Sequence, residues 1–301
     1  MYHLETAIPA VRRLPRLPVS RDQAFLLMIA MNEIFLGLDT YLSHVLNGTI
    51  RPNEWIPILF GPLAGLILLL AGLIALRRRP LASTLATLTL LASMVVGVLG
   101  AYFHLVRGIL PTGPVGRQIT VDLLIFAPPI LGPLYFTLVG LLGISAAWEE
   151  DPPDSGILRV SSGWKWHLPY PKTQAYFFIV AMGILAALIS SVLDHARSHF
   201  ADPWFWLPTA VGIFALVTAV MLGAIIRPTR ADLLTYIVAM LLLSVVGVIG
   251  MILHVSTNLT TAGVIVTERF LRGAPFLAPL LFSNMGMLGL IVLLDPTEQR
   301  S

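Results

Sequence analysis

Residues 95–104 read VVGVLGAYFH, and residues 245–254 read VVGVIGMILH. Six of the ten positions are identical, and both stretches end in histidine. A second pair of segments, 23–44 and 174–195, also begins alike and ends in histidine. Two matching pairs in the same order predict an internal duplication. Four histidines then hold equivalent places in the two halves: His44, His104, His195 and His254.

The composition places the chain in a membrane. Hydrophobic residues make up 56% of the 301 residues, charged residues only 12%, and the mean hydropathy is +0.84. Apolar runs such as 56–76 and 233–253 are long enough to cross a hydrocarbon core of ~30 Å. The absence of cysteine excludes disulfides, iron–sulfur clusters, thiolate zinc sites and covalent c-type haem. The net charge of +3 does not suggest nucleic acid, because the basic residues lie at the ends of the apolar runs.

The apolar segments predict an all-α polytopic membrane protein with eight transmembrane helices in two four-helix-bundle repeats. Further pairs of segments support the duplication: Pro52-x-x-Trp55 matches Pro203-x-x-Trp206, and Ala127-Pro128 matches Ala274-Pro275 if one gap is allowed before the following phenylalanines. The fourth span contains Pro128, Pro129 and Pro133, which predicts a kink. The predicted spans are residues 24–46, 55–76, 81–106, 119–148, 173–196, 205–226, 233–255 and 275–294. The repeats are residues 23–148 and 173–295, with a cytoplasmic linker at 149–172 and tails at 1–22 and 296–301.

The basic residues predict the orientation. If the N-terminus is cytoplasmic, the inner segments carry 13 Lys and Arg residues and the outer segments carry six. The positive-inside rule then puts both termini on the cytoplasmic side of the inner membrane. The first 22 residues contain four arginines and no apolar core, so we expect a retained tail and not a signal peptide. Four spans per half is an even number, so the repeats are expected to be parallel.

This topology brings the four histidines to one depth. Each lies near the outer end of an odd-numbered span, and the first and third helices of an up-down bundle face each other across its core. His44 can therefore face His104, and His195 can face His254. Histidine is costly in lipid and is a common haem ligand. The two pairs predict axial ligands for two b-type haems.

Glycines lie beneath two of these histidines. Residues four and seven positions earlier share a helical face with His104 and His254, and in both cases they are glycine: Gly97, Gly100, Gly247 and Gly250. We expect such a face to leave a slot for a flat macrocycle. Three other interpretations remain open: Gly-x-x-Gly is a helix-packing device, an interfacial histidine can be a headgroup residue without a ligand, and a bare metal ion is a further candidate.

One acidic residue lies near the middle of the first span. Glu33 is eleven residues before His44, which returns it to the same helical face about 16 Å deeper. A mid-membrane carboxylate is a candidate for proton handling or for contact with a quinone. The alternative is a protonated Glu33 bonded to a neighbouring Ser, Thr or Asn, such as Asn32.

Two four-helix bundles in one chain, with four histidines near the outer face, resemble the haem A synthase family in layout. The resemblance covers the whole chain and implies that His44, His104, His195 and His254 are haem-site residues. The chain departs from the family at three points: its histidines end odd-numbered spans, no Glu-x-x-x-His spacing precedes them, and there is no cysteine pair. The hydroxylation and oxidation chemistry of that family is therefore not carried over.

The sequence thus predicts a di-haem, b-type cytochrome-like electron-transfer subunit with two haem b groups and Glu33 as a proton or quinone contact. Its expected partners are the lipid bilayer, quinone, and other membrane or outer-face redox subunits. The alternatives are a cofactor-free membrane anchor of a larger complex, a parallel-repeat permease, and a metal-binding membrane protein.

Overall fold

The computed structural model describes residues 4–10, 19–45, 48, 50–75, 77–161, 164–260 and 262–294. Most of them are helical. The helices are α1 (Leu4–Ala7), α2 (Arg21–Val45), α3 (Trp55–Ala75), α4 (Arg79–His104), α5 (Val121–Phe126), α6 (Leu131–Ala147), α7 (Lys172–Ala196), α8 (Trp206–Ala224), α9 (Arg230–Asn258), α10 (Thr267–Arg272) and α11 (Leu280–Ile291). The strands are β1 (Glu149–Glu150), β2 (Ile157–Ser161) and β3 (Trp164–His167).

Six of the described helices are long and apolar enough to cross a membrane: α2, α3, α4, α7, α8 and α9. The prediction of an all-α multi-pass membrane protein is therefore confirmed. Local sequence explains where several of these helices begin. Thr229 caps α9 and exchanges hydrogen bonds with Asp232 in a capping box, and Pro80 lies in the first turn of α4, where no backbone donor is needed.

The fourth and eighth predicted spans are shorter than expected. The segment 119–148 is interrupted, because α5 ends at Phe126 and α6 begins only at Leu131. Pro128 and Pro129 lie in this gap; a proline cannot donate the helical hydrogen bond and disfavours helical geometry in the residue before it. Likewise α11 begins only after Pro279. With 17 and 12 residues, α6 and α11 rise about 25 Å and about 18 Å, so the count of eight spans is not confirmed.

The long helices and these two shorter ones form two closed rings. In the first ring, α2 contacts α3, α3 contacts α4, α4 contacts α6, and α6 returns to α2. In the second, α7, α8, α9 and α11 make the same cycle of contacts. The rings touch through α6 with α7 and through α11 with α2. The first helix of each ring thus meets the last helix of the other.

Part of the predicted N-terminal tail is folded against the second ring. The backbone N–H of Leu4 donates to the carbonyl of Leu293 at 2.8 Å, and the Nε of Arg230 donates to the carbonyl of Ala7 at 2.9 Å. Residues 1–3 and 11–18 of this tail, and the predicted tail at 296–301, lie outside the described residues.

The polar linker forms a small antiparallel sheet with the strand order β1-β2-β3. Leu158 pairs with Trp166 and Arg159 pairs with Lys165 across β2 and β3. Strand β2 contacts α4, and its Leu158 and Val160 are buried. We call the end of the helices at this sheet the linker side, and the opposite end, where the four histidines lie, the histidine side.

A buried polar network joins the two rings on the linker side. Arg21 donates to the Thr173 hydroxyl at 2.7 Å, and Lys172 donates to Asp22 at 2.5 Å and to the carbonyl of Trp148 at 2.6 Å. The side chains of Arg21 and Lys172 are 1% and 0% exposed. The first residue of α2 therefore reaches the second residue of α7, and the first residue of α7 reaches the second residue of α2. The sequence had shown these two basic residues only as topology signals.

Candidate functional site

All four predicted histidines lie on the histidine side. His44 and His195 are in the last turns of α2 and α7, His104 ends α4, and His254 is one turn before the end of α9. The structure brings His44 and His104 together, with ring centroids 6.1 Å apart and ring planes at 58°. These two side chains form the candidate site.

Backbone carbonyls fix which nitrogen of each imidazole is free. The Nδ1 of His44 is 2.7 Å from the carbonyl oxygen of Thr40, and the Nδ1 of His104 is 2.9 Å from that of Pro129. A carbonyl can only accept, so both Nδ1 atoms carry a proton, and in the neutral form of each ring the Nε2 atom is the one with a lone pair. Two imidazole nitrogens about 2 Å from a shared metal would put the ring centroids roughly 6 Å apart. The observed centroid separation of 6.1 Å is close to that value.

The second pair has a different environment. His254 repeats the bond of His104, since its Nδ1 donates to the carbonyl of Pro275 at 3.0 Å. His195 instead stacks on Phe205, with centroids 4.7 Å apart and planes at 6°, and its Nδ1 is 3.4 Å from the Ser191 hydroxyl. His104 bonds to the carbonyl of Pro129 and His254 bonds to that of Pro275, so Pro129 is the proline that corresponds to Pro275. The gapped match had aligned Pro275 with Pro128 instead.

An acid and a base beside the first pair were missed at the sequence level. Glu54, 5% exposed, accepts from the backbone N–H of Arg51 at 2.8 Å and from the guanidinium of Arg107. It lies within electrostatic reach of both His44 and His104. Arg107 belongs to a π-helical turn, Leu105–Ile109, that directly follows His104. A proline followed two residues later by glutamate, at the start of a helix, was the available signal.

The predicted glycines are in contact with neighbouring helices. A Cβ added to Gly97 would lie 2.3 Å from the Thr137 hydroxyl, and one on Gly100 would lie 2.7 Å from Pro133 Cβ. The equivalent distances in the second ring are 2.3 Å from Gly247 to the Ser283 hydroxyl and 2.8 Å from Gly250 to Pro279 Cβ. Helices α6 and α11 therefore fill the slots expected for a macrocycle. Close helix packing accounts for all four glycines.

Glu33 is fully buried and bonded to a serine of α4. Ser93 Oγ is 2.6 Å from Glu33 Oε1 and 2.9 Å from the carbonyl oxygen of Phe136. A hydroxyl has one proton, and the carbonyl can only accept it. Ser93 therefore has two acceptors for its one proton, the carboxyl of Glu33 and this carbonyl. The hydrogen-bond partner of Glu33 is thus Ser93 and not Asn32, and the protonation of Glu33 stays a prediction.

The described residues contain no group of three or more His, Asp and Glu side chains placed to hold a metal ion. A metal at the first histidine pair would therefore have two protein ligands. No family model matches the chain, and neither a curated protein nor a solved structure is similar to it. The resemblance to haem A synthases stays a likeness of layout.

Proposed function

We propose that the chain consists of two parallel four-helix repeats in the cytoplasmic membrane, and that the first repeat holds a bis-histidine redox centre like that of a b-type cytochrome. The repeat is supported by the two helix rings and by the reciprocal contacts on the linker side. The matching glycine contacts and histidine–carbonyl bonds also support it. The excess of basic residues on the linker side of the sequence favours a cytoplasmic location for that side.

The single observation that carries the redox proposal is the geometry of His44 and His104. Their rings are 6.1 Å apart, and each has its Nδ1 committed to a backbone carbonyl. His44 and His104 would hold a haem iron through their Nε2 atoms, and the porphyrin would supply the remaining nitrogen ligands that the described residues do not offer. Pro133 and Thr137 of α6 would have to give up the space beside Gly97 and Gly100 for the macrocycle to enter.

We propose one redox centre in the chain, in place of the two haem sites that the sequence predicts. In the second repeat, Phe205 covers one face of His195 at the position that Glu54 holds in the first repeat. The first repeat places the buried carboxylate of Glu54 beside its histidines, whereas the acid of the second repeat, Asp194, is 44% exposed and lies 3.8 Å from Arg197. A carboxylate near two neutral imidazoles offsets the positive charge of a bound iron. The first repeat is therefore the proposed site, and His195 with His254 is kept as the control pair.

The proposed electron partners are quinol within the membrane and a redox subunit at the outer face. Glu33 in the first repeat lies about 16 Å below His44, and quinol oxidation releases protons together with electrons. Glu33 is proposed as the group that holds such a proton.

A second candidate is a bare copper ion between His44 and His104. The contacts of Gly97 and Gly100 with α6 favour it, because they occupy the space that a porphyrin would need beside His104. Imidazole nitrogens suit copper as well as iron.

The test is purification of the full chain from membranes, with a reduced-minus-oxidised absorption spectrum and metal analysis by mass spectrometry. We expect one haem per chain, lost in His44→Ala and His104→Ala and retained in His195→Ala and His254→Ala. Stoichiometric copper without porphyrin would establish the second candidate instead. A colourless, metal-free protein would refute both and leave the cofactor-free membrane anchor or the permease. Equal loss in all four variants would restore the two-centre prediction.

A further inference from the structure

Strands β2 and β3 form an amphipathic hairpin on the linker side. Leu158 of β2 is opposite Trp166 of β3, so the two side chains share one face of the sheet, and Trp164 joins them by the alternation of a strand. Arg159 is opposite Lys165, and both belong to the other face. The hairpin thus separates an aromatic and aliphatic face from a basic one.

The aromatic face is the one turned toward the helices. Leu158 is buried, and β2 contacts α4, whereas Arg159 is exposed and forms an ion pair with Asp151. Trp164 and Trp166 lie on the face of Leu158 but remain 66% and 50% exposed. Their rings contact each other edge to face, with centroids 6.3 Å apart. The two tryptophans therefore lie on the face of the sheet that packs against α4, but they extend beyond the helix bundle.

The chain holds this hairpin close to the membrane. Strand β1 begins two residues after α6 ends, and β3 ends at His167, five residues before Lys172 starts α7. Five residues span at most about 18 Å. Around this end of a membrane-spanning bundle we expect lipid headgroups, and tryptophan is enriched at the boundary between headgroups and acyl chains.

We propose that the β2–β3 hairpin lies on the lipid surface at the linker side, with Trp164 and Trp166 in the headgroup–acyl boundary and Arg159 and Lys165 toward water. The occupant of the aromatic face is the phospholipid that surrounds the bundle. The linker is then a membrane-contacting element that fixes the depth of α6 and α7. This inference does not depend on the redox proposal.

The chain contains no cysteine, so single cysteines can report on neighbouring positions of opposite face. Trp166→Cys and Lys165→Cys in the full chain each receive an environment-sensitive fluorophore, in nanodiscs of phosphatidylcholine and phosphatidylglycerol. We expect the label at 166 to emit at shorter wavelength, to be quenched by lipids brominated near the headgroup, and to be protected several-fold from aqueous iodide. The label at 165 should show the reverse on all three readouts.

Further positions guard against a local perturbation. Trp164→Cys should behave like Trp166→Cys, and Arg159→Cys should behave like Lys165→Cys. Equal iodide quenching at 165 and 166 in pure lipid would overturn the proposal, because the aromatic face would then be open to water and free for a protein partner. Protection at 166 without quenching by brominated lipid would overturn it too, since the label would be covered by the protein itself.

Discussion

The two histidine pairs differ in what surrounds them. His44 and His104 face each other beside a buried Glu54 and its partner Arg107, whereas His195 stacks flat on Phe205. Glu54 and Phe205 hold matching places before their tryptophans, so this position is acidic in the first half and aromatic in the second. Histidines at equivalent sequence positions therefore do not have equivalent surroundings in the two halves.

The middle of the membrane shows the same divergence. Glu33 and Ser93 form a hydrogen-bonded pair in the first half, and their counterparts in the second are the buried Ile184 and Leu243. By contrast, the contacts of glycine with the proline-bearing helix and the histidine–carbonyl bonds occur in both halves. Features that pack the helices are thus shared, whereas the mid-membrane pair of Glu33 and Ser93 belongs to the first half.

The largest expected loss of stability is on the linker side, where Asp22 of α2 corresponds to Thr173 of α7. Lys172→Met leaves the Asp22 carboxylate buried without its ammonium partner, and should lower the free energy of unfolding by about 3–5 kcal/mol. Arg21→Met loses the bond to the neutral Thr173 hydroxyl and a longer contact with Asp22, at 3.3 Å against 2.5 Å for Lys172, and should cost less. Unfolding in mixed detergent micelles measures both. The exposed Lys165→Met is the control, and equal losses for Lys172 and Arg21 would contradict the asymmetry.

A smaller loss of stability is expected at the contact between α9 and the segment before α11. Asn258 donates to the carbonyl of Ala274 at 2.8 Å and accepts from its N–H at 2.9 Å, whereas the first half has Gly108 against Pro128. Asn258→Ala leaves both backbone groups unpaired and should cost about 1–3 kcal/mol in the same unfolding measurement.

The double variant Asn258→Gly with Ala274→Pro imitates the first half. Proline has no N–H to satisfy, and glycine avoids the clash that a Cβ at 108 would make with Pro128 at 2.3 Å. It should recover most of the stability lost in Asn258→Ala. A double variant less stable than Asn258→Ala would show that the backbone follows different paths at this contact in the two halves.

The smallest effect on stability is expected in the middle of the membrane. Glu33→Ile with Ser93→Leu converts the pair to that of the second half and should change the free energy of unfolding by less than about 1 kcal/mol, because both polar partners are removed together. Ser93→Leu alone should cost more, since Glu33 loses its partner. If the double variant keeps the full rate of quinol-dependent reduction, Glu33 has no part in proton handling.

The sequence predicted the histidines better than their surroundings. Helical spacing and the duplication placed His44 and His104 at one end of the fold, and the structure places their rings in contact. The same spacing placed Gly97 and Gly100 on the face below His104. It could not show that Pro133 and Thr137 of α6 would fill that space, because the neighbour of a helical face depends on how helices cross. Glu54 and Arg107 were missed for the same reason: they are 53 residues apart and meet only through folding.

Composition and hydropathy by themselves determined the membrane class, the long spans and the internal match between halves, because the cost of polar groups in lipid acts on each segment separately. Proline positions alone indicated where the fourth span would break. Only the tertiary structure decided which helices close each ring, which carbonyls bind His104 and His254, and that Arg21 and Lys172 are buried between the halves. Those outcomes depend on contacts between residues distant in the chain, and no local energy term specifies them.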